Sequence, residues 1–141
     1  MLKGLSPLLS PDLLHALASM GHGDELLIVD ANFPAASHAR HLLRLPGVSA
    51  TEALEAVLSV LPLDDFGPQP ALSMQVVGDP TTVPEIVAEF NALLARHGAP
   101  ACGALERFAF YERAQQAFAV LATGERRLYG NILLKKGVLQ P

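Results

Sequence analysis

The sequence of 141 residues carries ten basic and fourteen acidic side chains, a formal net charge of −4 and a single cysteine. This length fits one domain spanning residues 1–141. The basic residues form no block longer than a pair, which argues against a nucleic-acid surface, and one cysteine leaves no internal disulfide. No apolar run approaches the roughly 20 residues that cross a bilayer, and the first residues lack a signal-peptide core, so we expect a cytoplasmic protein without membrane partners.

Half of the residues are hydrophobic, and the mean hydropathy is +0.31. Small domains leave much of their surface exposed, so this composition is apolar for a monomer. A core rich in alanine and leucine is one interpretation. We favour a second, in which apolar surface is buried between the subunits of a homo-oligomer.

Helix and strand signals alternate through the first part of the chain. Ser10-Pro11-Asp12 combines an N-cap serine, a first-turn proline and an acid, and it predicts a helix that Gly21 ends. Glu25–Asp30 is a short apolar run typical of a buried strand. His41–Leu45 fits either a strand or a short helix. Ser49-Ala50-Thr51-Glu52 matches a capping box and predicts a helix to about residue 60.

The same alternation continues to the C-terminus. A loop rich in proline and glycine is predicted over 61–70, and amphipathic spacing with Gly98 as its stop predicts a helix over 84–97. Further strands are predicted over 72–77, 103–108, 117–122 and 128–134, with a helix over 110–117. The pattern predicts an α/β single-domain layered fold, with a mixed, largely parallel sheet flanked by helices.

Two positions around the first predicted strand carry candidate chemistry. His22 lies between two glycines after a helix end, where the helix dipole favours the protonated imidazole and suits an acid. Asp30 closes the strand, where a carboxylate can face a pocket at the sheet edge. A solvent-facing loop histidine and a turn-capping aspartate remain open as alternatives.

Two further pairs of residues suit recognition of a polyol. Arg107 and Tyr111 are four residues apart and share a face if a helix begins near Arg107. An arginine stacked on a tyrosine at the surface is the alternative. Tyr129 and Asn131 are two apart in a predicted strand and would face the same side, with Gly130 permitting a close approach.

Other polar residues give weaker signals. His38 and His41 could reach one metal ion from a helix, but no cysteine pair or neighbouring carboxylate completes a site, so we expect no metal. Glycine-rich phosphate loops are absent, so we expect no nucleotide cofactor. Cys102 has no neighbouring histidine in the sequence to activate it as a nucleophile.

These pieces in this order resemble the L-fucose mutarotase family and, more distantly, D-ribose pyranase. The longest matching runs are Arg-Phe-Ala-Phe-Tyr-Glu-Arg-Ala from Arg107 and Tyr-Gly-Asn-Ile-Leu-Leu-Lys-Lys-Gly-Val from Tyr129. Shorter matches are Met1–Gly4, Met20–Asp30, Phe33–Ala35 and Thr123–Glu125. From about residue 38 to 100 only the layout matches, and Arg107 and Tyr111 favour the fucose type over the ribose type.

The resemblance implies His22 as the proton donor and sugar contacts from Asp30, Arg107, Tyr129 and Asn131, with Tyr111 near the pocket. It implies no cofactor, and rings of subunits, often decamers, with sites that can lie between subunits. A pyranose opens when an acid protonates the ring oxygen and a base takes the anomeric proton, and reclosure gives the other anomer. Asp30, Tyr129 or a water could be the base. D-ribose pyranase and a non-catalytic sugar-binding ring are the alternatives.

Overall fold

The computed structural model describes residues 1–141 and contains five helices and six strands. No helix combines the length and apolar character needed to span a membrane. The helices are α1 (Pro11–Ser19), α2 (Ala35–His38), α3 (Ala50–Leu58), α4 (Glu85–Arg96) and α5 (Arg107–Gln116). The strands are β1 (Glu25–Val29), β2 (Leu42–Leu45), β3 (Ala71–Met74), β4 (Gly103–Leu105), β5 (Ala119–Thr123) and β6 (Ile132–Lys135).

One sheet contains all six strands in the order β2-β5-β1-β6-β3-β4. The pairs β2–β5, β5–β1 and β3–β4 are parallel, whereas β6 runs antiparallel to both β1 and β3. The predicted mixed, largely parallel sheet is therefore confirmed. Because β6 runs against β1, the residue after β1 and the residue before β6 lie at the same edge of the sheet.

Helices cover both faces of the sheet, and each face has its own apolar core. Leu26 and Ile28 of β1 pack in a core that includes residues of α1, α3 and α4. Leu27 and Val29 point the other way, into a core shared with α2 and α5. Successive side chains of a strand alternate between faces, so a strand buried on both faces is continuously apolar. This explains why residues 26–29 carry no polar side chain.

The structure confirms the two predicted helix starts and shows which structure the ambiguous segment adopts. The Ser10 hydroxyl accepts a hydrogen bond from the Leu13 amide at 3.3 Å, and the Ser49–Glu52 capping box is complete. The segment His41–Leu45 is a strand rather than a helix. Its residues Leu42–Leu45 form β2, an edge strand paired only with β5.

Three local predictions were wrong. Helix α5 begins at Arg107 rather than Phe110, because the Glu106 carboxylate accepts hydrogen bonds from the first backbone amides of the helix. Gly21 is not a left-handed helix stop. The chain leaves α1 through an extended Met20, and the left-handed residue is Gly23, with φ 86°.

The third error concerns the last strand, which begins at Ile132 rather than residue 128. Tyr129 instead lies in a turn with a left-handed backbone, φ 62°. Tyr129 and Asn131 therefore do not share a strand face. The turn crosses closely over its neighbours, since a Cβ on Gly130 would lie 2.7 Å from Cγ of Glu125.

The motif Thr123-Gly124-Glu125 joins three elements at the end of β5. The Thr123 hydroxyl donates to the Val29 carbonyl at 2.8 Å, and the Glu125 carbonyl accepts from the Ala31 amide at 2.9 Å. The buried Glu125 carboxylate also accepts from the Ala50 amide at the start of α3, at 3.2 Å. The motif thus fixes the chain on both sides of residue 30.

We expect the lone thiol to be inert in the folded protein. Cys102 packs against the core on the α1/α3/α4 face, and burial raises its pKa to about 12. The thiolate is the reactive species, so alkylation at pH 8 should be on the order of a thousandfold slower than for a free cysteine. Thiol titration before and after denaturation measures this. Equal alkylation rates in the native and the denatured protein would contradict the prediction. The Cys102→Ser variant, which has no thiol, gives the background signal.

Candidate functional site

A cavity of about 190 Å³ opens at the sheet edge where β1 ends and β6 begins. Ten residues line it, and they include five predicted site residues: Asp30, Arg107, Tyr111, Tyr129 and Asn131. The volume is below the roughly 300–1,000 Å³ typical of drug-sized ligands. The cavity therefore suits a small polar molecule.

Asp30 and Asn131 form the floor of the cavity and are both buried. The Asn131 side-chain oxygen accepts a hydrogen bond from the Asp30 amide at 2.9 Å, which explains an asparagine just before an apolar strand. The Asp30 carboxylate accepts from the Asn32 amide at 3.0 Å. Burial raises the pKa of Asp30, and hydrogen bonds to its carboxylate, above all from the Asn32 amide, oppose the rise.

Arg107 and Tyr111 lie one turn apart on α5, as the sequence predicts, and both line the cavity. The Arg107 guanidinium lies over the Phe108 ring, 4.6 Å from its centre. Its Nε is buried and has no hydrogen-bond partner in the chain. A buried donor is costly unless it is satisfied, and an oxygen of a ligand in the cavity would satisfy this one.

Tyr129 connects the cavity to the loop that follows β3. Its hydroxyl oxygen accepts a hydrogen bond from the Val77 amide at 3.1 Å, and Val77 also lines the cavity. With one lone pair engaged, the phenol proton remains free to donate to a ligand. The left-handed backbone of Tyr129 costs about 1–2 kcal/mol in a non-glycine residue.

His22 is not in this cavity. It precedes β1, whereas Asp30 follows it, and a strand of five residues is about 16 Å long. Its Nε2 lies 3.0 Å from Oδ1 of Asp64, and its ring lies 5.2 Å from the Phe66 ring. The helix end that was predicted to favour a protonated His22 is occupied by Lys136, whose Nζ donates to the Leu17 and Met20 carbonyls.

The histidines considered for metal binding do not converge. His38 belongs to α2, where its Nδ1 bonds to the Pro34 carbonyl oxygen at 3.0 Å, and its ring packs 5.3 Å from Tyr111. His41 packs against Phe118 instead. No three side chains from histidine, cysteine, aspartate or glutamate are grouped to hold a metal ion.

Sequence reasoning missed the apolar wall of the cavity and the partner of His22. Phe33, Met74, Val77 and Leu128 line the cavity beside the polar residues. Phe33 belongs to one of the short stretches that match the family, but no motif marked Met74, Val77 or Leu128 as lining a site. Asp64 had one available signal, an acid within a loop rich in proline, but its contact with His22 spans 42 residues.

The sequence profile of the RbsD / FucU transport protein family matches residues 3–139. The chain belongs to the RbsD/FucU family. It is 47% identical to fucose mutarotase of Bos taurus, over 99% of this chain and 95% of the bovine protein.

Two solved structures of this family share the fold. The fucose mutarotase of Streptococcus pneumoniae in complex with L-fucose has a TM-score of 0.93 and 42% identity, over 99% of this chain and 100% of that chain. RbsD of Bacillus subtilis, complexed with D-ribose, has a TM-score of 0.78 and 22% identity, over 99% of this chain and 100% of that chain. At 22% identity, the likeness to RbsD shows the fold alone. Of these two structures, the fucose mutarotase is the more similar in sequence.

Proposed function

We propose that this protein is an L-fucose mutarotase, an isomerase that interconverts the α and β anomers by opening and reclosing the ring. The observation that carries the proposal is the convergence of Asp30, Arg107, Tyr111, Tyr129 and Asn131 on one small cavity. The 47% identity to a fucose mutarotase supports it. Carboxylate, guanidinium, phenol and amide groups together supply both the donors and the acceptors that the hydroxyls of a monosaccharide require.

The apolar wall supports fucose as the substrate. L-Fucose carries a methyl group on C5, while its other ring substituents are hydroxyls. Phe33, Met74, Val77 and Leu128 provide apolar surface beside the polar groups. Burying a methyl group there is favourable, and the pyranose form of ribose has no such group to bury.

The proposed chemistry uses an acid and a base on opposite sides of the anomeric centre. His22 donates a proton to the ring oxygen, and Asp30 takes the proton of the anomeric hydroxyl as the bond between C1 and the ring oxygen breaks. Burial raises the pKa of Asp30, which makes it a stronger base than an exposed aspartate. Rotation about C1–C2 and reversal of both transfers close the other anomer.

We further propose that His22 serves the cavity of a neighbouring subunit. Within one subunit His22 and Asp30 lie beyond opposite ends of β1. Exposed apolar side chains occur at both places: Phe66 beside His22, and Val77 and Leu128 at the cavity. Two different patches that meet form a heterologous contact, which gives a ring when the rotation between subunits closes. These patches support a homo-oligomer; its decameric state and its location in the cytoplasm are proposed from the resemblance alone.

The proposal is tested by NMR saturation transfer between the anomers of L-fucose, with and without the protein, and then with D-ribose. We expect faster exchange for fucose than for ribose. Binding of fucose without faster exchange would indicate a recognition protein instead. Faster exchange for ribose alone would indicate a pyranase.

We expect Arg107→Met to weaken L-fucose binding by roughly 10- to 100-fold, because hydrogen bonds to a charged donor contribute about 1.5–3 kcal/mol. Methionine keeps the apolar stem and removes the buried donor. Arg126→Met is the matched control, since Arg126 is exposed and does not line the cavity. Calorimetric titration with fucose measures both, and equal affinities would contradict a role for Arg107.

A further inference from the structure

Asp64 is a buried carboxylate that lies outside the cavity and contacts His22. It is 4% exposed, and its Oδ1 lies 3.0 Å from His22 Nε2 and 3.3 Å from the Phe66 amide. Its own amide donates to the Lys135 carbonyl at 3.0 Å, which fixes the residue beside the end of β6. A buried acid with these contacts is held in one position.

The protonation of this pair follows from its chemistry. The hydrogen bond with His22 is the main reason that the pKa of Asp64 lies below its usual value, so Asp64 is ionised near neutral pH. An ionised carboxylate only accepts hydrogen bonds. The proton between the two groups therefore belongs to His22 Nε2, and Nδ1 is the nitrogen left to exchange a proton.

We propose that Asp64 is a positioning residue that holds His22 in the Nε2-protonated form, so that Nδ1 is the atom that exchanges the proton with the ring oxygen of the sugar. The inference rests on the proposed mutarotase function. On ring opening, the Nδ1 proton moves to the ring oxygen as its bond to C1 breaks, and the anomeric proton moves to the base. On reclosure Nδ1 recovers the proton, while the Nε2 proton stays on His22 and remains hydrogen-bonded to Asp64 throughout.

The surrounding charges are consistent with this assignment. Lys135 Nζ lies 3.6 Å from Oδ2 of Asp64, so it balances the negative charge at the carboxylate oxygen other than the one that His22 contacts. The Asp24 carboxylate accepts from the Gly21 amide at 2.7 Å, and Lys136 is bound to the end of α1. Nδ1 of His22 makes no hydrogen bond within the subunit, and the His22 side chain is 45% exposed. The Nδ1 atom is therefore free to form a hydrogen bond with a sugar.

The first test compares Asp64→Asn with Asp65→Asn. Asparagine keeps the shape of Asp64, but its amide can donate to Nε2 and favour the other tautomer, an effect that is large in the serine-protease triad. Because His22 is partly exposed, we expect kcat for fucose anomer exchange to fall about 10- to 100-fold, with KM changed less than about twofold. Asp65 is exposed, and Asp65→Asn should change neither constant by more than about twofold.

The second test reads the tautomer without any activity. Solid-state NMR of sedimented protein labelled with ¹⁵N-histidine distinguishes protonated from bare Nδ1 and Nε2, and His22→Gln assigns the signals. We expect Nε2 to carry a proton in the parent protein whether or not Nδ1 is protonated, and a mixed or reversed tautomer in Asp64→Asn. A bare Nε2 in the parent, or an unchanged kcat in a folded Asp64→Asn, would overturn the inference. These outcomes differ from a failure of the proposed mutarotase function, in which the parent protein itself would not accelerate anomer exchange.

Discussion

Replacing His22 with alanine should lower the protein-catalysed rate of L-fucose anomer exchange by roughly 10²–10⁴-fold, the usual contribution of a general acid. Fucose binding should change much less, because the variant keeps all the polar side chains of the cavity itself. Saturation-transfer rates measured at several sugar concentrations separate the two effects. The change should therefore appear in kcat more than in KM.

Two controls make this result specific. His15 is exposed on α1, so His15→Ala should leave the rate unchanged. Mixed assemblies of His22→Ala and Arg107→Met subunits should recover part of the activity, because some sites then combine an intact His22 with an intact cavity from another subunit. Equal rates in His22→Ala and parent would refute the acid, and no recovery on mixing would refute a shared site.

Replacing Gly124 with alanine should destabilise the protein by about 3 kcal/mol or more. A Cβ at this position would lie 2.1 Å from the Pro46 carbonyl oxygen and 3.0 Å from its carbon, so backbone must move. Movement would also strain the bond from the Gly124 amide to the Val48 carbonyl, which is 2.8 Å long. Denaturant unfolding at fixed protein concentration measures the free energy of unfolding.

Gly47→Ala is the matched control, because nothing lies within 4 Å of a Cβ built on Gly47 and its backbone is not left-handed. The same substitution there should be neutral or stabilising by up to about 1 kcal/mol. Equal losses of stability in the two variants would show that the close approach to Pro46 is not the cause. Weakened fucose binding in Gly124→Ala would follow from the motif's hold on the chain around Asp30.

The fold could be predicted largely because its signals are local. The Ser49 capping box and the apolar run of β1 each depend on a few neighbouring residues, and the alternation of such elements is enough to predict a layered sheet. Only one of the errors involves a contact that is distant in sequence: the C-terminus of α1 binds Lys136, which is 116 to 119 residues away. The other two involve near neighbours whose side-chain contacts no simple pattern marks, Glu106 at the start of α5 and Glu125 beside Gly130.

The candidate site shows the same division. Arg107 and Tyr111 could be paired from the sequence, because helical spacing places them on one face. Asp30 and Asn131 lie together on the floor of the cavity because β6 pairs antiparallel with β1. No local sequence pattern specifies this pairing. The separation of His22 from the cavity follows from the five residues of β1 that lie between His22 and Asp30, so the predicted strand already implied it.

The antiparallel pair β1–β6 runs unbroken from Glu25 opposite Lys135 to Ile28 opposite Ile132. A paired strand buried on both faces cannot shorten or hinge, so no lid or loop motion within a subunit can bring His22 to Asp30. On the proposed function, the rate would then depend on subunit concentration. Dilution, or a protein that competes for the contact between subunits, would then lower the rate without changing any residue of the cavity. Subunit assembly would therefore regulate the activity.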